Sequence, residues 1–418
     1  MKSKIFKINE ISLSIVFLIL SSCGHGPVKS KKEALIKIST RQQSYTDQLE
    51  FKTLKEALVN TIEKLEISAT NKVIEYPVTF SMKDYLAMLK MINRCSNSIK
   101  QFQQYLKQSF DPYIVFGKDD YGEILLTSYY EPLLKASNKK TKIHNTPLYR
   151  APRNIVEVKL SKFDQQRYGN IQSSRKIISA QMTKDKFGNK QIVPLPSRYE
   201  IDYKGALTNQ GLEIAYVDPI EAFFLHIQGS GRVIFKDGRT YTLGYHAQNG
   251  MKYEPIGKFL KEHIPSEKMS LQSIEKVLRT KYKENLQDIL PLNPSYIFFK
   301  KIKGRARTTL GTEVTDRRTL AVDASLFKLG LIGHLNYPEL EITNDGAVEK
   351  EPRREHFVFN QDTGGAIKGT GRADLFWGSG EEGKRIAGHM RHKAKLTFFL
   401  PKPDSIQNIR NNQIMSCR

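Results

Sequence analysis

The spacing of apolar side chains predicts that the chain begins with helices. Residues 49–66 carry Leu, Ile and Phe at intervals of two to four positions, which places them on one face of an amphipathic helix. Ser81, a residue type that caps helices, precedes a second stretch whose apolar positions share one side. Beyond it the pattern changes to short β-like runs at 113–116 and 124–127, separated by turn residues. Helices are therefore expected before the first strands.

The rest of the chain is predicted to be mainly strands. Between about 140 and 285, short apolar runs separated by turn residues predict a small barrel or sandwich. Those runs are Ile192–Val193, Leu212–Val217, Phe223–Gln228 and Arg232–Phe235. Residues 255–285 return to helical spacing, and short strands resume after Pro294. Because the β-rich end resembles the region before residue 135, the pattern predicts a mainly β protein with peripheral helices, in which one domain is interrupted by another.

The chain carries a large excess of positive charge. Its 418 residues hold 66 Lys and Arg against 43 Asp and Glu, a net charge of +23. This excess favours an acidic partner such as nucleic acid, an anionic membrane face or an acidic polymer. The hydrophobic share of 39% is enough for a sizeable core, and three cysteines are too few for a disulfide scaffold. Composition thus excludes a disordered chain and a disulfide-knotted miniprotein, but it does not choose among the acidic partners.

The first residues predict export. Lys2, Lys4 and Lys7 precede an apolar run at 11–20, which is too short to span a bilayer core, since spanning takes about 20 helical residues. A basic start followed by a short apolar run is typical of a secretory signal peptide. The segment then ends in Leu-Ser-Ser-Cys23, which resembles the lipobox of bacterial lipoproteins. The alternative is an ordinary signal peptide with an incidental cysteine.

A lipoprotein signal would define both the anchor and the compartment. The resemblance implies removal of residues 1–22, lipidation of Cys23 and, because Gly24 rather than Asp follows, the periplasmic face of the outer membrane. The membrane partner is then the lipid anchor itself. An exported protein meets little nucleic acid, so we expect no nucleic-acid partner. Cys95 and Cys417 are expected to stay unpaired, because chain termini fray.

Metal and nucleotide chemistry have little support in the sequence. His389 and His392 are three positions apart, but no further Cys, His or acidic cluster completes a zinc set. The turn Gly229-Ser-Gly231 is too short to indicate a dinucleotide site, and no P-loop or G-x-S-x-G sequence is present. We therefore expect no metal and no cofactor.

Three carboxylates stand in apolar, strand-like surroundings near the C-terminus. They are Asp323, Asp362 and Asp374. An Asp inside an apolar strand is costly unless it is hydrogen-bonded or functional. Burial of Asp374 would raise its pKa and keep a proton near neutral pH, as a general acid requires. The alternative is a structural Asp that caps a turn or pairs with Arg372, and spacing alone does not decide between them.

Several sequence blocks carry a family resemblance. They are Thr127–Pro132, Pro147–Arg150, Phe223–Gly231, Gly244–Gly250, Ile256–Lys258, Asn293–Phe299, Leu320–Asp323, Gln361–Gly369 and Arg372–Gly378. In this order, over about residues 123–400, they resemble the membrane-bound lytic murein transglycosylase A family, with its C-terminal 3D domain. Each block alone is modest, whereas the ordered set is specific.

The resemblance implies a fold and a reaction. The implied fold is a double-psi β-barrel interrupted by a second small β-barrel domain, with a glycan groove between the two. The implied reaction is cleavage of the β-1,4 bond between N-acetylmuramic acid and N-acetylglucosamine in peptidoglycan, with formation of 1,6-anhydro ends. Ordinary glycosidases use two carboxylates, whereas here the substrate's own C6 hydroxyl attacks, so one carboxyl can serve first as acid and then as base.

The resemblance also implies the site residues. Asp374 matches the catalytic acid/base, and Asp362 and Asp323 are supporting acidic residues or parts of the barrel structure. Substrate-binding residues carried over are Thr127, Gln228, Gly229, Ser230, Tyr245, Asn249 and Lys258. One departure is Ser128, which stands where the family usually has Gly and would be strained at positive φ. The only Trp, Trp377, could stack on a sugar or pack in the core.

The expected domain boundaries follow from these blocks. Residues 1–22 are the signal peptide and 23–48 a tether. Residues 49–138 and 287–404 form the catalytic barrel domain, 139–286 the inserted β domain, and 405–418 a tail. A monomer is expected, with peptidoglycan strands as the partner. A hydrolytic glycosidase on the same barrel and a non-catalytic cell-wall-binding lipoprotein remain alternatives.

Overall fold

The computed structural model describes most of the chain after the predicted signal peptide. The described residues are 33–39, 44–71, 73–117, 121–159, 177–339, 341–342, 348–350, 352–365 and 367–411. The predicted lipidation site Cys23 and the terminal Cys417 lie outside them. Within the described residues, no helix combines the length and the apolar character that a membrane span needs.

Three helices lie between residues 51 and 109, where the sequence predicted two, and contrary to the prediction a short strand at Leu35–Lys37 precedes them. The helices are α1 (Phe51–Ser68), α2 (Met82–Cys95) and α3 (Ile99–Ser109). Ser81 caps α2 as predicted, and the Asp84 side chain accepts a hydrogen bond from the Ser81 backbone in return. This reciprocal capping box satisfies amide donors that the first turn of a helix leaves unpaired. The buried faces of all three helices pack into one core with the main sheet.

The main sheet takes strands from both ends of the chain. Its strands are β1 (Leu35–Lys37), β4 (Phe110–Val115), β5 (Ile124–Glu131), β15 (Thr319–Ala321), β16 (Ile332–Pro338), β19 (Arg353–Asp362), β20 (Arg372–Ser379) and β21 (Arg391–Pro401), the numbers counting all strands along the chain. The order across the sheet is β1-β4-β21-β16-β19-β15-β20-β5. In addition, the first residues of β21 pair with β5. The chain before Glu131 and the chain after Thr319 therefore build one sheet.

The remaining strands form smaller sheets. Two are the short pairs β2 (Val73–Ile74) with β3 (Phe80–Ser81) and β17 (Glu341–Ile342) with β18 (Val348–Lys350). The others are β6 (Leu133–Ala136), β7 (Thr146–Tyr149), β8 (Ile155–Lys159), β9 (Ile177–Lys184), β10 (Lys190–Pro194), β11 (Glu213–Val217), β12 (Gly231–Phe235), β13 (Thr240–Gln248) and β14 (Ile297–Ile302). Their sheets are β14-β13-β12-β6, β10-β9-β8 and β11-β7. Sheet membership changes between Glu131 and Leu133, and again between Ile302 and Thr319.

This middle region is wider than the predicted insert of 139–286. Strands β6 and β14 flank that range on both sides, yet they pair with β12 and β13 rather than with the main sheet. The reason is the side-chain pattern: Leu134 and Phe299 both point into the core that β12 and β13 share. The interrupted-domain division remains a prediction, and sheet pairing would place its borders near residues 132 and 303.

One predicted strand is a helix. Phe223–Gln228 lies in α5 (Pro219–Gln228), which follows the short helix α4 (Arg198–Asp202). A six-residue apolar run is ambiguous between strand and helix, and its flanking residues decide. Asp218 accepts hydrogen bonds from the Ile220 and Glu221 amides, Pro219 begins the helix, and Gly229 ends it at φ 79°. The other helices are α6 (Leu271–Thr280), α7 (Leu286–Ile289), α8 (Gly380–Ala387) and α9 (Pro403–Arg410).

The predicted tether and tail both contribute to the packed fold where they are described. In the range 23–48, β1 pairs with β4, and Asp47 forms a buried ion pair with Arg318 at 2.6 Å. In the range 405–418, α9 packs on α2, with Arg410 bound to Asp84. Apolar residues of both segments, such as Leu35 and Ile406, are buried, which explains why a prediction from their polar composition was wrong.

Cys95, the last residue of α2, is disulfide-bonded, contrary to the predicted free thiol.

Candidate active site

Four neighbouring strands align a row of side chains across the main sheet. On β15, Ala321 pairs with Asp362 of β19 on one side and with Asp374 of β20 on the other. Asp374 in turn pairs with Thr127 of β5. Directly paired residues point to the same face, so both carboxylates and the threonine face one way. Adjacent strands lie about 4.8 Å apart, which puts the two aspartate Cα atoms roughly 10 Å from each other.

Asp374 is a partly enclosed carboxyl with few partners. Its side chain keeps 19% of its surface exposed, and the Thr127 hydroxyl donates a hydrogen bond to Oδ1. The Arg372 Nε lies 3.7 Å from the same oxygen, within ion-pair range but too far for a hydrogen bond. Burial raises the pKa of Asp374, Arg372 and Thr127 oppose that rise, and the charge of Asp362 adds to it. The group therefore holds its proton to higher pH than an ordinary aspartate.

Asp362 is surrounded by donors. Its Oδ1 accepts from the Thr309 amide, the Thr309 hydroxyl and the Thr363 amide, each at 2.9 Å. Its Oδ2 accepts from the Tyr129 hydroxyl, also at 2.9 Å. Hydrogen bonds donated to a carboxylate favour its charged form. Burial, followed by the charges of Asp362 and Asp374, raises the pKa of Tyr129 far above its ordinary value, so this phenol stays a donor.

Asp323, the third predicted carboxylate, organises a loop. Its Oδ1 accepts from the amide and hydroxyl of Ser325, and its Oδ2 accepts from the Gly369 amide at 2.9 Å. Burial would raise the pKa of Asp323, but these donors outweigh it and the pKa is lowered. The carboxylate ties the turn after β15 to the segment between β19 and β20. Asp323 thus supports the strands that carry the other two aspartates.

The end of α5 approaches the Asp374 row from the middle region. Gln228, its last residue, accepts a hydrogen bond from the Tyr130 amide on β5 at 3.2 Å. Tyr130 is three residues from Thr127 along the same strand. Gly229 and Ser230 follow directly, and a Cβ at Gly229 would meet nothing within 4 Å. Three of the predicted binding residues therefore lie together beside the strand that holds Thr127.

The remaining predicted binding residues differ in exposure and in the partners that they already have within the chain. Asn249 is 2% exposed, and it donates to the Pro196 and Pro294 carbonyls and accepts from the Tyr296 amide, so its amide holds loops together. Lys258 pairs with Glu254 at 2.9 Å. Tyr245 on β13 is 48% exposed and has an accessible ring. Of these three, Tyr245 is the side chain most available to a ligand.

Two uncertain positions of the sequence have ordinary structural roles. Ser128 lies within β5, pairs with Leu375 and is not among the described residues with positive φ, so the expected strain does not arise. Trp377 packs against the main core, with Tyr337 at 6.3 Å and the Arg317 guanidinium over its ring. Core packing is therefore the role of Trp377 that the geometry favours.

Sequence reasoning missed Tyr129 and Thr309 as partners of Asp362. Tyr129 had a usable signal, because it stands two positions after Thr127, the last residue of a predicted strand-like run, and residues two positions apart in a strand share a face. Thr309 stands in an irregular segment 53 residues before Asp362 in the chain, and no local pattern marks it. Among the described residues, no group of three or more His, Cys, Asp or Glu side chains could hold a metal ion. His389 instead lies 2.8 Å from the Arg385 carbonyl.

Two family models match the chain in succession. The MltA specific insert domain matches residues 125–300, and the 3D domain matches residues 318–400. The first covers the middle region and the strand that carries Thr127, and the second covers Asp323, Asp362 and Asp374. Together they define the class: a protein with an MltA-type insert followed by a 3D domain.

Known relatives agree with this class. Membrane-bound lytic murein transglycosylase A of Escherichia coli strain K12 is 28% identical over 319 residues, covering 74% of each chain. A solved membrane-bound lytic murein transglycosylase from Agrobacterium tumefaciens has a TM-score of 0.71 and 26% identity, covering 90% of this chain and 99% of that one. The E. coli protein with bound chitohexaose has a TM-score of 0.63 at 22% identity, covering 88% and 95%. The chain is therefore similar in sequence and fold to the membrane-bound lytic murein transglycosylases A.

Proposed function

We propose that the protein cleaves the β-1,4 bond between N-acetylmuramic acid and N-acetylglucosamine in peptidoglycan and leaves 1,6-anhydro-muramic ends. The observation that carries this proposal is the row formed by Asp362, Ala321, Asp374 and Thr127. It presents one carboxyl of raised pKa next to one carboxylate that is held by donors. Such an arrangement suits a mechanism with one acid/base carboxyl rather than the two catalytic carboxylates of ordinary glycosidases.

The chemistry uses the Asp374 carboxyl twice, first as an acid and then as a base. Asp374 donates it to the glycosidic oxygen while the bond from that oxygen to C1 of the muramic residue breaks. The C6 hydroxyl of the same residue attacks C1, and its proton passes to the Asp374 carboxylate, which restores the acid. Atoms balance without water, because the nucleophile belongs to the substrate and its proximity replaces a second catalytic carboxylate.

Asp362 supplies fixed negative charge. This charge raises the pKa of Asp374 and favours the positive charge that develops on the sugar ring. Asp323 acts one step further away, by holding the turn after β15. Neither residue needs to exchange a proton with the substrate.

The glycan would run past the end of α5. Gln228, Gly229 and Ser230 lie beside β5 and offer an amide, an open backbone and a hydroxyl, while Tyr245 offers an accessible ring. Sugars bind to such polar groups and aromatic faces. The chitohexaose bound to the E. coli relative supports a β-1,4-linked glycan as ligand. Asn249 and Lys258 would act indirectly, through the loops and the ion pair that they maintain.

The finer fold proposal is a double-psi β-barrel interrupted by a second small barrel. Its support is the pairing of β21 with β5, which returns the strand order β21-β16-β19-β15-β20-β5 to its start. We also propose a lipid anchor at Cys23, a location on the periplasmic face of the outer membrane, and a monomer. The relatives' names describe membrane-bound proteins, which supports the anchor.

Product analysis tests the reaction. The chain from Gly24 to Arg418 is incubated with purified peptidoglycan, and the released muropeptides are identified by mass. We expect 1,6-anhydro ends, with Asp374→Asn as the matched inactive variant. Reducing ends in their place would indicate a hydrolytic glycosidase. Binding to peptidoglycan without any cleavage would indicate a non-catalytic cell-wall-binding protein. Either result would reject the proposed reaction.

A further inference from the structure

The hairpin formed by β9 and β10 presents apolar surface to solvent. Phe187 in its turn is 76% exposed, and the cross-strand partners Ile192 and Met182 are 57% and 36% exposed. Single exposed apolar residues are common on protein surfaces. Here three of them share one small element that lies outside the proposed active site.

The turn holds Phe187 outward in a fixed conformation. Asp185 accepts hydrogen bonds from the Phe187 and Asn189 amides at 2.8 and 2.9 Å, and the Asp185 amide donates to the Asn189 carbonyl. Gly188 adopts φ 85°, which suits glycine in such a turn. A phenyl ring that an ordered turn holds in water contributes little hydrophobic burial to the stability of the fold. The ring is therefore available to a partner without further ordering of the backbone.

Three lysines lie in or directly beside this turn, and their arrangement is unfavourable in the isolated chain. Lys184 and Lys190 are directly paired across the hairpin, and like charges in that position repel. Lys186 adds a third cation, with Nζ 5.0 Å from the Phe187 ring centre. The nearby carboxylate of Asp185 is occupied by the turn. The hairpin thus carries an excess of positive charge that an anionic partner would neutralise.

We propose that this hairpin docks on an anionic phospholipid surface, with Phe187 entering the membrane interface and Lys184, Lys186 and Lys190 binding the headgroups. Strands advance about 3.3 Å per residue, so Lys184 and Lys190 lie roughly 7–10 Å behind the tip. Interfacial segments bury their apolar part about 5–10 Å deep, at the boundary between headgroups and acyl chains. The lysines would therefore stand at headgroup level when Phe187 reaches that boundary. This contact would orient the protein, and it depends neither on the catalytic residues nor on a lipid anchor.

Vesicle binding tests the proposal on the unlipidated chain from Gly24 to Arg418. Vesicles of phosphatidylcholine are compared with vesicles that also contain phosphatidylglycerol, and bound protein is measured by sedimentation. We expect binding that requires the anionic lipid and weakens with salt. Lys184→Gln combined with Lys190→Gln should weaken it about 30-fold, from roughly 1 kcal/mol per lysine. Phe187→Ser should weaken it on the order of tenfold.

Matched controls separate the hairpin from general surface charge. Ile67→Ser removes an apolar residue that is 81% exposed at the end of α1, and Lys139→Gln with Lys140→Gln removes two lysines elsewhere. These variants should bind vesicles as the unmodified chain does. Equal losses in controls and hairpin variants would overturn the proposal, as would absence of anionic-vesicle binding. Loss of peptidoglycan binding in Phe187→Ser with vesicle binding intact would assign the hairpin to the cell wall instead.

A fluorescence experiment gives a second measurement. Trp377 is the only Trp in the chain and packs against the core, so Phe187→Trp adds one exposed reporter. Its emission should shift to shorter wavelength when anionic vesicles are added, beyond any change seen with Trp377 alone. An unchanged emission at full vesicle binding would show that the tip stays in water and would overturn the docking geometry.

Discussion

Asp374 and Asp202 both have raised pKa values, and they lie in very different surroundings. Asp374 retains 19% exposure, and its neighbour Arg372 retains 35%. Asp202, in the middle region, lies 3.7 Å from an Arg198 whose side chain is only 2% exposed. Burial raises the pKa of Asp202 to about 6, and Arg198 opposes that rise. Both groups have a perturbed pKa, but the Asp374 side chain is about twice as exposed as that of Asp202, 19% against 9%, and its ion-pair partner is far more exposed.

The surroundings of Asp202 have a structural purpose. Arg198 donates to the Asn293 and Ser295 carbonyls and contacts His226 on α5 at 2.9 Å. This cluster joins α4, α5 and the segment before β14. A shifted pKa therefore also occurs in a structural cluster of charged residues. The exposure of the side chain to solvent is what distinguishes a candidate active site from such a cluster.

The largest expected effect is on catalysis by Asp374. Asp374→Asn removes the exchangeable proton and keeps the shape, so kcat should fall about a thousandfold, within the usual range for a general acid. Thermal unfolding of the variant should stay close to that of the unmodified chain. Retention of most of the activity would show that Asp374 is not the acid/base. Its raised pKa would then have no more functional meaning than that of Asp202.

The next effect concerns stability around Asp202. Because its folded pKa, about 6, exceeds the unfolded value of 3.8, the folded state binds more protons between these values and stability falls as pH rises through that window. The loss should be on the order of 3 kcal/mol. Urea unfolding from pH 4 to 7 should show it, and Asp202→Asn should flatten that dependence while leaving kcat unchanged. A fall in kcat per folded molecule would mean that the cluster takes part in the reaction.

A smaller effect is expected from Thr127. Thr127→Val removes the hydroxyl that lowers the pKa of Asp374, so the pH at which activity declines should move upward, with about a tenfold loss of kcat from lost positioning. Thr127→Ser retains the hydroxyl and serves as the control. If the valine variant showed an unchanged pH profile, the hydrogen bond to Asp374 would have no catalytic role.

The smallest expected effect is a shift in the pH at which activity declines when Asp362 is replaced, opposite in direction to that of Thr127→Val. Asp362→Asn removes a negative charge that raises the pKa of Asp374, so the decline in activity should move to lower pH. The amide oxygen can still accept from Thr309, and the fold should survive. A pH–rate profile beside that of Thr127→Val gives the comparison. Shifts of the same sign in both variants would contradict the electrostatic assignment.

The sequence predicted the strand content of the main sheet well but not the arrangement of its strands. Apolar runs indicated β4 and β5 and predicted further short strands after Pro294, because alternation is a local property. Their order depends on contacts between residues hundreds of positions apart, such as Thr127 with Asp374, which no local pattern encodes. The helix over 219–228 was missed because apolar content outweighed the start signal at Asp218 and Pro219.

The candidate site was predictable to a similar degree. Asp374 was found because a carboxyl between apolar residues is costly, and the family resemblance supplied its expected role. The hydrogen-bond donors around Asp362 were not found, since Thr309 lies in an irregular segment. The excess of positive charge predicted an acidic partner, and the chain has a dense basic run at Lys300, Lys301, Lys303, Arg305 and Arg307. In the structure Arg305 and Arg307 pair with Asp316 and Glu313, and Lys301 lies over the Tyr241 ring.

The pairing of Thr127 with Asp374 also sets a time at which the protein can first act. Synthesis delivers β5 long before β20 and β21, and these two strands are the partners that β5 has in the main sheet. Until they arrive, β5 has no partner in the main sheet and the row of Asp362, Ala321, Asp374 and Thr127 does not exist. A chain that is still being made, or one truncated before residue 372, would thus be unable to cut the polymer around it. If Asp374 is the acid/base as proposed, activity begins only when roughly the last tenth of the chain is in place.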